Sequence, residues 1–234
     1  MVKTAIILAG GLGTRLRDTI PNLPKPMAPI NSRPFLEHQM DYLIHQGISK
    51  FILSVGYLNQ IIIDHFGNKY KGVPIDYSIE DAPLGTGGGL VLALQNLTEA
   101  VLVVNGDTFF EVNLMEFTNF HIISKSKLTL SLFRTDPIKR YMGIKIDSNG
   151  EILKLKSDLK SSSSSNLVNG GLYIIEPSII NLLGYKLGQK LSFEDDILSK
   201  LLESNVKLFG KEFKGVFIDI GIPEDYYRAE ELLN

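Results

Sequence analysis

Apolar residues along this chain fall into two kinds of run. Thr4–Ala9, Lys50–Val55 and Ala100–Asn105 are short, rich in Ile, Leu and Val, and do not alternate with polar residues. Strands covered on both faces read this way. Between them the spacing turns helical: Phe35–Gln46 carries Phe35, Leu36, Met40, Leu43 and Ile44, and Asn59 is placed to cap a segment through Phe66. Strand, helix, strand in succession predicts βαβ units with right-handed crossovers, and hence an α/β fold with a mostly parallel central sheet flanked by helices.

The second half changes character. Leu128–Phe133, Met142–Asp147, Ile152–Leu155 and Leu167–Ile175 read as strands separated by turns such as Asp147–Gly150, which predicts a β-rich insertion or a second sheet region. The run Ser161–Ser165 reads as a solvated surface linker. Helical patterns resume at Phe193–Ser204 and after Pro223, where proline suits a first helical turn. With no internal repeat and no linker between independent units, a single domain over residues 1–234 is expected.

Composition narrows the partners. With 44% hydrophobic and 21% charged residues the chain can bury a sizeable core, and its formal charge of -2 comes with no basic block or acidic tail. Nucleic acid and membrane surfaces are therefore not expected partners. The absence of cysteine excludes disulfides, thiolate catalysis and Cys-ligated zinc. The apolar run after Met1 is too short for a signal peptide and no later stretch could span a bilayer, so a cytoplasmic location is expected. His38, His45, His65 and His121 are scattered without metal-ligand spacing and receive no role.

Candidate chemistry begins at Leu8-Ala9-Gly10-Gly11-Leu12-Gly13-Thr14-Arg15-Leu16, directly after the first apolar strand, where α/β folds present ligands. Its glycines allow close approach of the backbone to a phosphate or base, and its N–H groups and Arg15 can meet negative charge. The turn lacks the Gly-Lys-Ser/Thr ending of a P-loop, and Leu16 stands where a dinucleotide fingerprint needs its third glycine. In Leu23-Pro24-Lys25-Pro26-Met27 two prolines pin the backbone around Lys25, which suits a cation aimed at phosphate. Asp107 follows the buried run Val101–Val104 and Asp219 follows Val216–Ile218, so both carboxylates should emerge at the edge that carries the glycine turn. Together they could hold Mg²⁺, with phosphates and water completing the shell; singly, each fits a cap or turn equally well.

Leu8–Leu16 followed by Pro24-Lys25-Pro26 resembles the signature of the sugar nucleotidyltransferases. The likeness extends over the chain in the family's order: Pro83–Gly88 is similar to its base-binding loop, Asn105-Gly106-Asp107 to its metal-bearing strand end, Asn169–Tyr173 to a sugar-contacting strand, and Asp219–Asp225 to its C-terminal aspartate motif. The resemblance implies a Rossmann-like, three-layer α/β/α fold, with a nucleotide-binding part over about 1–110 and a smaller β-rich, sugar-binding part over about 111–234. It implies Arg15, Lys25, Asp107 and Asp219 as catalytic groups, with Mg²⁺ on the two aspartates. Nucleotide contacts would come from Leu8, Ala9, Gly10, Gly11, Gly13, Thr14 and Arg15, from Pro83, Gly85, Thr86 and Gly87, and from Asn105 and Asp107. Sugar-phosphate contacts would come from Lys25, Gly143, Asn169, Gly170 and Glu194, although Glu194 equally suits a first-turn glutamate favoured by the helix dipole.

One departure stands out: where many relatives carry a Glu-Lys pair the chain reads Lys156-Ser157-Asp158, which leaves Lys156, Lys154 or Arg140 for the phosphate contact. The implied reaction is attack by a sugar 1-phosphate on the α-phosphorus of a nucleoside triphosphate with release of pyrophosphate, driven by orientation and charge neutralisation. Lacking an appended β-helix, the chain is most similar to the branch that joins GTP to D-glycero-D-manno-heptose 1-phosphate for bacterial surface glycans. Mannose 1-phosphate guanylylation, or uridylyl or thymidylyl transfer to another sugar phosphate, is the alternative, and a catalytically silent nucleotide-sugar-binding regulator is a different class. Relatives often dimerise, which allows a homodimer here.

Overall fold

The computed structural model describes residues 1–11, 22–135, 143–156, 167–221 and 223–233. Strand β1 (Thr4–Leu8) leads to a single 3₁₀ turn at Lys25–Met27 and a ribbon of two short strands, β2 (Pro29–Ile30) and β3 (Arg33–Pro34). Then come α1 (Phe35–His45), β4 (Lys50–Val55), α2 (Asn59–Phe66), β5 (Lys69–Tyr70), β6 (Val73–Ile79), α3 (Gly85–Ala93) and β7 (Val101–Asn105). The remainder runs β8 (Thr108–Phe110), α4 (Leu114–Ile123), β9 (Leu128–Arg134), β10 (Gly143–Ile146), β11 (Ile152–Lys156), β12 (Leu167–Ile175) and α5 (Ser178–Asn181). A π-helical turn, Phe193–Leu198, continues into α6 (Ser199–Glu203), followed by β13 (Phe209–Glu212), β14 (Phe217–Asp219) and α7 (Pro223–Leu232).

Ten strands form one sheet whose main path is β11-β10-β12-β7-β1-β4-β6-β5. Its centre, β7-β1-β4-β6, is parallel, as the βαβ pattern predicts. The second-half strands do not build a separate sheet: β12 pairs antiparallel with β7 through Leu172–Ile175, and with β9 and β10, so the sheet continues across both parts of the chain. Pairing there covers the edge of β7 that the parallel unit alone would leave open. Residues alternate between two cores: Ile7, Leu53, Leu102 and Val104 pack with Leu36, Met40 and Leu43 of α1, while Ile6, Ile52, Val101 and Val103 pack with Leu90, Val91 and Ala93 of α3. Hence the uninterrupted apolar runs.

Three local features depart from the sequence reading. Asn59 is the first helical residue of α2, and Leu58 holds the N-cap position in the left-handed region (φ 56°) without a side-chain cap. The stretch read as a loop over Pro83–Gly88 is already helical from Gly85, and α3 takes four glycines into its first turns. Strand β6 and helix α4 carried no clear signal, because β6 is covered largely on one face and α4 leaves Ile122 and Ile123 exposed. A third apolar cluster, with Ile30, Phe35, Phe109, Ile218, Ile220 and Tyr226, fastens β14 and α7 beside β8. That cluster sets the position of Asp219. No helix among the described residues is long and apolar enough to cross a membrane.

Candidate active site

The parallel strands end together, and a cavity of about 390 Å³ opens beyond their C-terminal ends. Leu8, Ala9, Gly10 and Gly11 line it from the end of β1, Ser54 from β4, Glu80 from the end of β6, and Asn105, Gly106 and Asp107 from the end of β7. Pro83, Gly85 and Thr86, expected to touch nucleotide, also line it, as does Lys25, expected as a catalytic and sugar-phosphate contact. Gly13, Thr14 and Arg15 lie outside the described residues.

The β7 turn explains how Asp107 arrives there. A Cβ on Gly106 would stand 2.5 Å from the Leu8 carbonyl oxygen and 3.1 Å from Ala9 Cα, so only glycine lets the two strand ends approach this closely. Gly106 N donates to Leu8 O (3.0 Å), and Gln39 from α1 donates its amide to Asn105 O (2.9 Å) and to Thr108 O, bracing the turn from below. Asp219 comes alongside because β14 pairs antiparallel with β8, setting Asp219 opposite Thr108, while Ile220 N donates to Asp107 O (3.0 Å). The Lys25 ammonium donates to Asp107 Oδ2. A Cβ at Gly221 would lie 2.7 Å from Asp219 Oδ1 and 3.0 Å from Lys25 Nζ, so ammonium and carboxylate flank one point. Positive charge is thus already accommodated between the two aspartates. Two carboxylates beside a phosphate-sized turn suit a hard divalent cation completed by substrate oxygens and water; among the described residues no group of three or more His, Cys, Asp or Glu forms a closed cage.

The glycines of α3 serve packing. Gly87 N (2.8 Å) and Gly88 N (3.2 Å) both donate to Leu191 O, and Leu191 N donates to Leu84 O (2.8 Å). Added Cβ atoms would meet Leu191 O at 2.6 Å from Gly85, Ser192 O at 2.9 Å from Gly87 and Gln189 O at 2.3 Å from Gly88. The expected nucleotide role of Gly87 is not supported, since its amide is taken by Leu191 and it does not line the cavity. Beside this helix start stands Glu80, absent from the sequence reading. Its Oε2 accepts from Leu84 N (2.8 Å), while Cβ atoms added at Gly10 and Gly89 would meet its Oε1 at 2.5 and 2.6 Å. Burial pushes the Glu80 carboxyl above the ordinary range, and the Leu84 N–H partly offsets this.

On the other side of β7, β12 bulges at Asn169–Gly171, where Gly171 has φ +74°. The bulge turns Asn169 toward Tyr173, whose hydroxyl it meets at 2.7 Å, and Tyr173 in turn donates to Glu194 Oε1 (3.4 Å). Tyr173 is fully buried, which holds its pKa well above the usual value. Burial likewise raises the Glu194 carboxyl, with the charges of Asp195 and Asp107 adding to the effect. Glu194 and Asn169 are therefore joined to the Asp107 neighbourhood, though neither lines the main cavity. Gly170 packs against Phe110 and Ser131, and Gly143 pairs with Lys156 and Val168 inside the sheet. Both occupy structural positions rather than the cavity wall. Arg140, Ser157 and Asp158 lie outside the described residues, as does the run Ser161–Ser165.

The model of the nucleotidyl transferase family matches residues 4–234. The chain belongs to that family. Among nucleotidyl transferases it is similar to the D-glycero-alpha-D-manno-heptose 1-phosphate guanylyltransferase of Aneurinibacillus thermoaerophilus, with 44% identity covering 98% of this chain and 97% of that one. The enzyme of that name from Campylobacter jejuni is 40% identical over 95% of this chain and 96% of its own length. HddC from Yersinia pseudotuberculosis, in the crystal structure complexed with GMP-PN, superposes with a TM-score of 0.85 at 36% identity, covering 100% of both chains. As nucleotidyl transferase residues, Gln39 and Glu80 could have been suspected from sequence. Gln39 is the polar residue within the apolar stripe of α1, and Glu80 follows β6 immediately before the glycine loop.

Proposed function

We propose that this chain is a sugar-1-phosphate guanylyltransferase, with D-glycero-α-D-manno-heptose 1-phosphate as the favoured acceptor. The observation that carries the proposal is the distribution of charge along one cavity, with Lys25 and Asp107 at one end and the Glu80 carboxylate at the other. Guanine presents adjacent N1–H and N2–H donors, a pair that a carboxylate accepts. Uracil and thymine place a carbonyl oxygen on each side of their N3–H, so a fixed carboxylate repels them. The full-length similarity to two heptose 1-phosphate guanylyltransferases supports both the base and the sugar.

In this reading a phosphate oxygen of the sugar 1-phosphate bonds to the α-phosphorus of GTP as the bond to the β-phosphate oxygen breaks, and the charge departs on pyrophosphate. The nucleophile is already anionic, so orientation and charge neutralisation are what the protein must supply. Lys25 is the cation for the attacked phosphate and Arg15 for the leaving pyrophosphate, while the Gly10–Gly11 backbone admits the nucleotide closely. Asp107 and Asp219 are the residues that would hold a divalent cation, Mg²⁺ in this reading, whose chemistry is neutralisation of phosphate charge. Glu194, kept in place by Tyr173, suits the sugar hydroxyls.

The test is pyrophosphate release from each nucleoside triphosphate against a panel of sugar 1-phosphates, heptose and mannose included, with and without Mg²⁺. Metal-dependent turnover confined to GTP and heptose 1-phosphate is expected. Turnover with mannose 1-phosphate alone would replace the sugar, turnover with UTP would replace the base, and silence despite nucleotide binding would mark a regulator.

A further inference from the structure

The residues that line the cavity carry four charges: Lys25, Glu80, Asp107 and Lys190. Lys25 and Asp107 hold each other, and Glu80 is fixed by the Leu84 N–H. Lys190 forms no ion pair with any described residue, yet its backbone is tightly placed. Leu191 on its C-terminal side is bonded to Leu84, Gly87 and Gly88 of the α3 entry, Phe193 N donates to Thr86 Oγ1 (3.0 Å), and Gln189 on its N-terminal side packs against Gly88. The glycines that admit this segment therefore set an uncommitted ammonium on the wall formed by Pro83, Gly85 and Thr86, the end where Glu80 stands.

A wall that offers a fixed carboxylate and an unpaired cation suits a ring whose edge carries donors next to acceptors. Guanine has N1–H and N2–H beside O6 and N7, and an ammonium directed at O6 and N7 is a recurrent way of selecting it. We propose that Lys190 is a specificity-determining residue that reads O6 and N7 of the guanine base, complementing Glu80 on N1 and N2. This rests on the guanylyltransferase reading above. Adenine would bring its N6 donors toward the ammonium, so Lys190 excludes ATP at the edge that Glu80 does not face.

The test uses GTP and the fluorescent triphosphate of 2-aminopurine riboside, which keeps N7 and the 2-amino group but lacks both O6 and the N1–H, so that only the change on substituting Lys190, not the absolute affinity, is compared between the two. Dissociation constants of both are measured for the wild-type protein, Lys190→Met and Lys190→Arg, by 2-aminopurine fluorescence and by its displacement with GTP. Lys190→Met is expected to weaken GTP about tenfold and 2-aminopurine riboside triphosphate, which retains only the N7 contact, by no more than about threefold, and Lys190→Arg to restore most of the GTP affinity. An equal loss for both triphosphates would place the ammonium on the phosphates or ribose and overturn the assignment, as would no loss for either. If the wild-type protein binds another nucleoside triphosphate in preference to GTP, the guanylyltransferase reading itself fails, which is distinguishable from a Lys190 without effect on a GTP-selective protein.

Discussion

Replacing Gly88 by alanine sets helix propensity against packing, and the structure says which wins. Gly88 lies inside α3 with no positive φ, so on propensity alone alanine would stabilise the helix by about 1 kcal/mol. The new Cβ, however, would stand 2.3 Å from Gln189 O and 2.8 Å from Leu84 Cβ. Ordinary contact distances then demand that the 189–192 segment retreat by about 1 Å. That movement strains or breaks the bonds from Gly87 N and Gly88 N to Leu191 O, at about 1 kcal/mol each, and adds an overpacking cost of about 1 kcal/mol. The net effect is a loss of about 2 kcal/mol, or about 4–8 °C in Tm for a chain of this size. Thermal melts and urea unfolding would measure it, with nucleotide affinity falling in parallel as the Pro83–Thr86 wall shifts. Gly11→Ala is the control, since no described residue lies within 4 Å of its Cβ and its Tm should move by no more than about 2 °C. A Gly88→Ala protein as stable as the wild type would refute the packing account.

Glu80→Gln keeps an acceptor for the Leu84 N–H but places an amide before the base; GTP binding should weaken about 10–100-fold while UTP is unchanged or improved, read by competitive displacement. Asp107→Asn and Asp219→Asn should leave the fold intact by circular dichroism yet lower kcat by about 10²–10³-fold and abolish nucleotide-dependent Mn²⁺ binding, and full activity in either would remove that residue from the metal assignment. His121 is buried, bonded through Nδ1 to Thr129 Oγ1 (2.7 Å), and its Nε2 has no partner among the described residues; burial lowers its pKa below the usual 6.5. The unfolded chain therefore takes up the proton first, so this contribution is complete above pH 6.5 and is lost as pH falls toward the depressed folded value. His121→Asn should be less stable at pH 8 but flatter in a pH series of urea melts below 6.5, and equal slopes would rule the histidine out.

What the sequence made legible was whatever depends on one residue and its near neighbours. β1, β4 and β7 announced themselves because alternate residues feed two different cores, so that apolar residues follow one another with Ser54 the one polar interruption inside a strand. Lys25, Asp107 and Asp219 could be placed at one edge because each follows a strand or a pinned turn. The Gly85–Gly88 loop shows the limit: glycine marks close approach, but what approaches is Gln189–Ser192, a segment about a hundred residues away that no local pattern specifies. Glu80, Gln39 and Lys190 were missed for the same reason, as single polar residues whose partners are supplied by the fold.

Glu194 is where sequence reasoning stood evenly divided between a first-turn glutamate and a sugar contact, and its hydrogen bonds bear on both readings. The turn is capped by the neighbours of Glu194, Asp195 N donating to Ser192 Oγ (3.1 Å) and Ser192 N to Asp196 Oδ2 (2.7 Å), and the Glu194 carboxylate adds a bond from its own backbone N–H. Glu194 also takes the single proton of the Tyr173 hydroxyl. Having given that proton away, the hydroxyl can only accept, as it does from the Asn169 amide, and Asn105 acts on it from the other side. Asn169 then has its carbonyl oxygen left to accept the Gly171 N–H (3.1 Å) that the bulge presents. The acceptor end of this chain is a carboxylate whose charge is felt together with that of Asp107. Since Asn105 also belongs to the cavity wall, the network ties the carboxylate suited to the sugar to the strand end that carries the metal-site aspartate. A buried carboxyl that has only part of its hydrogen-bonding capacity met suits an incoming hydroxyl, which supports the proposal that the sugar binds on this side of β7.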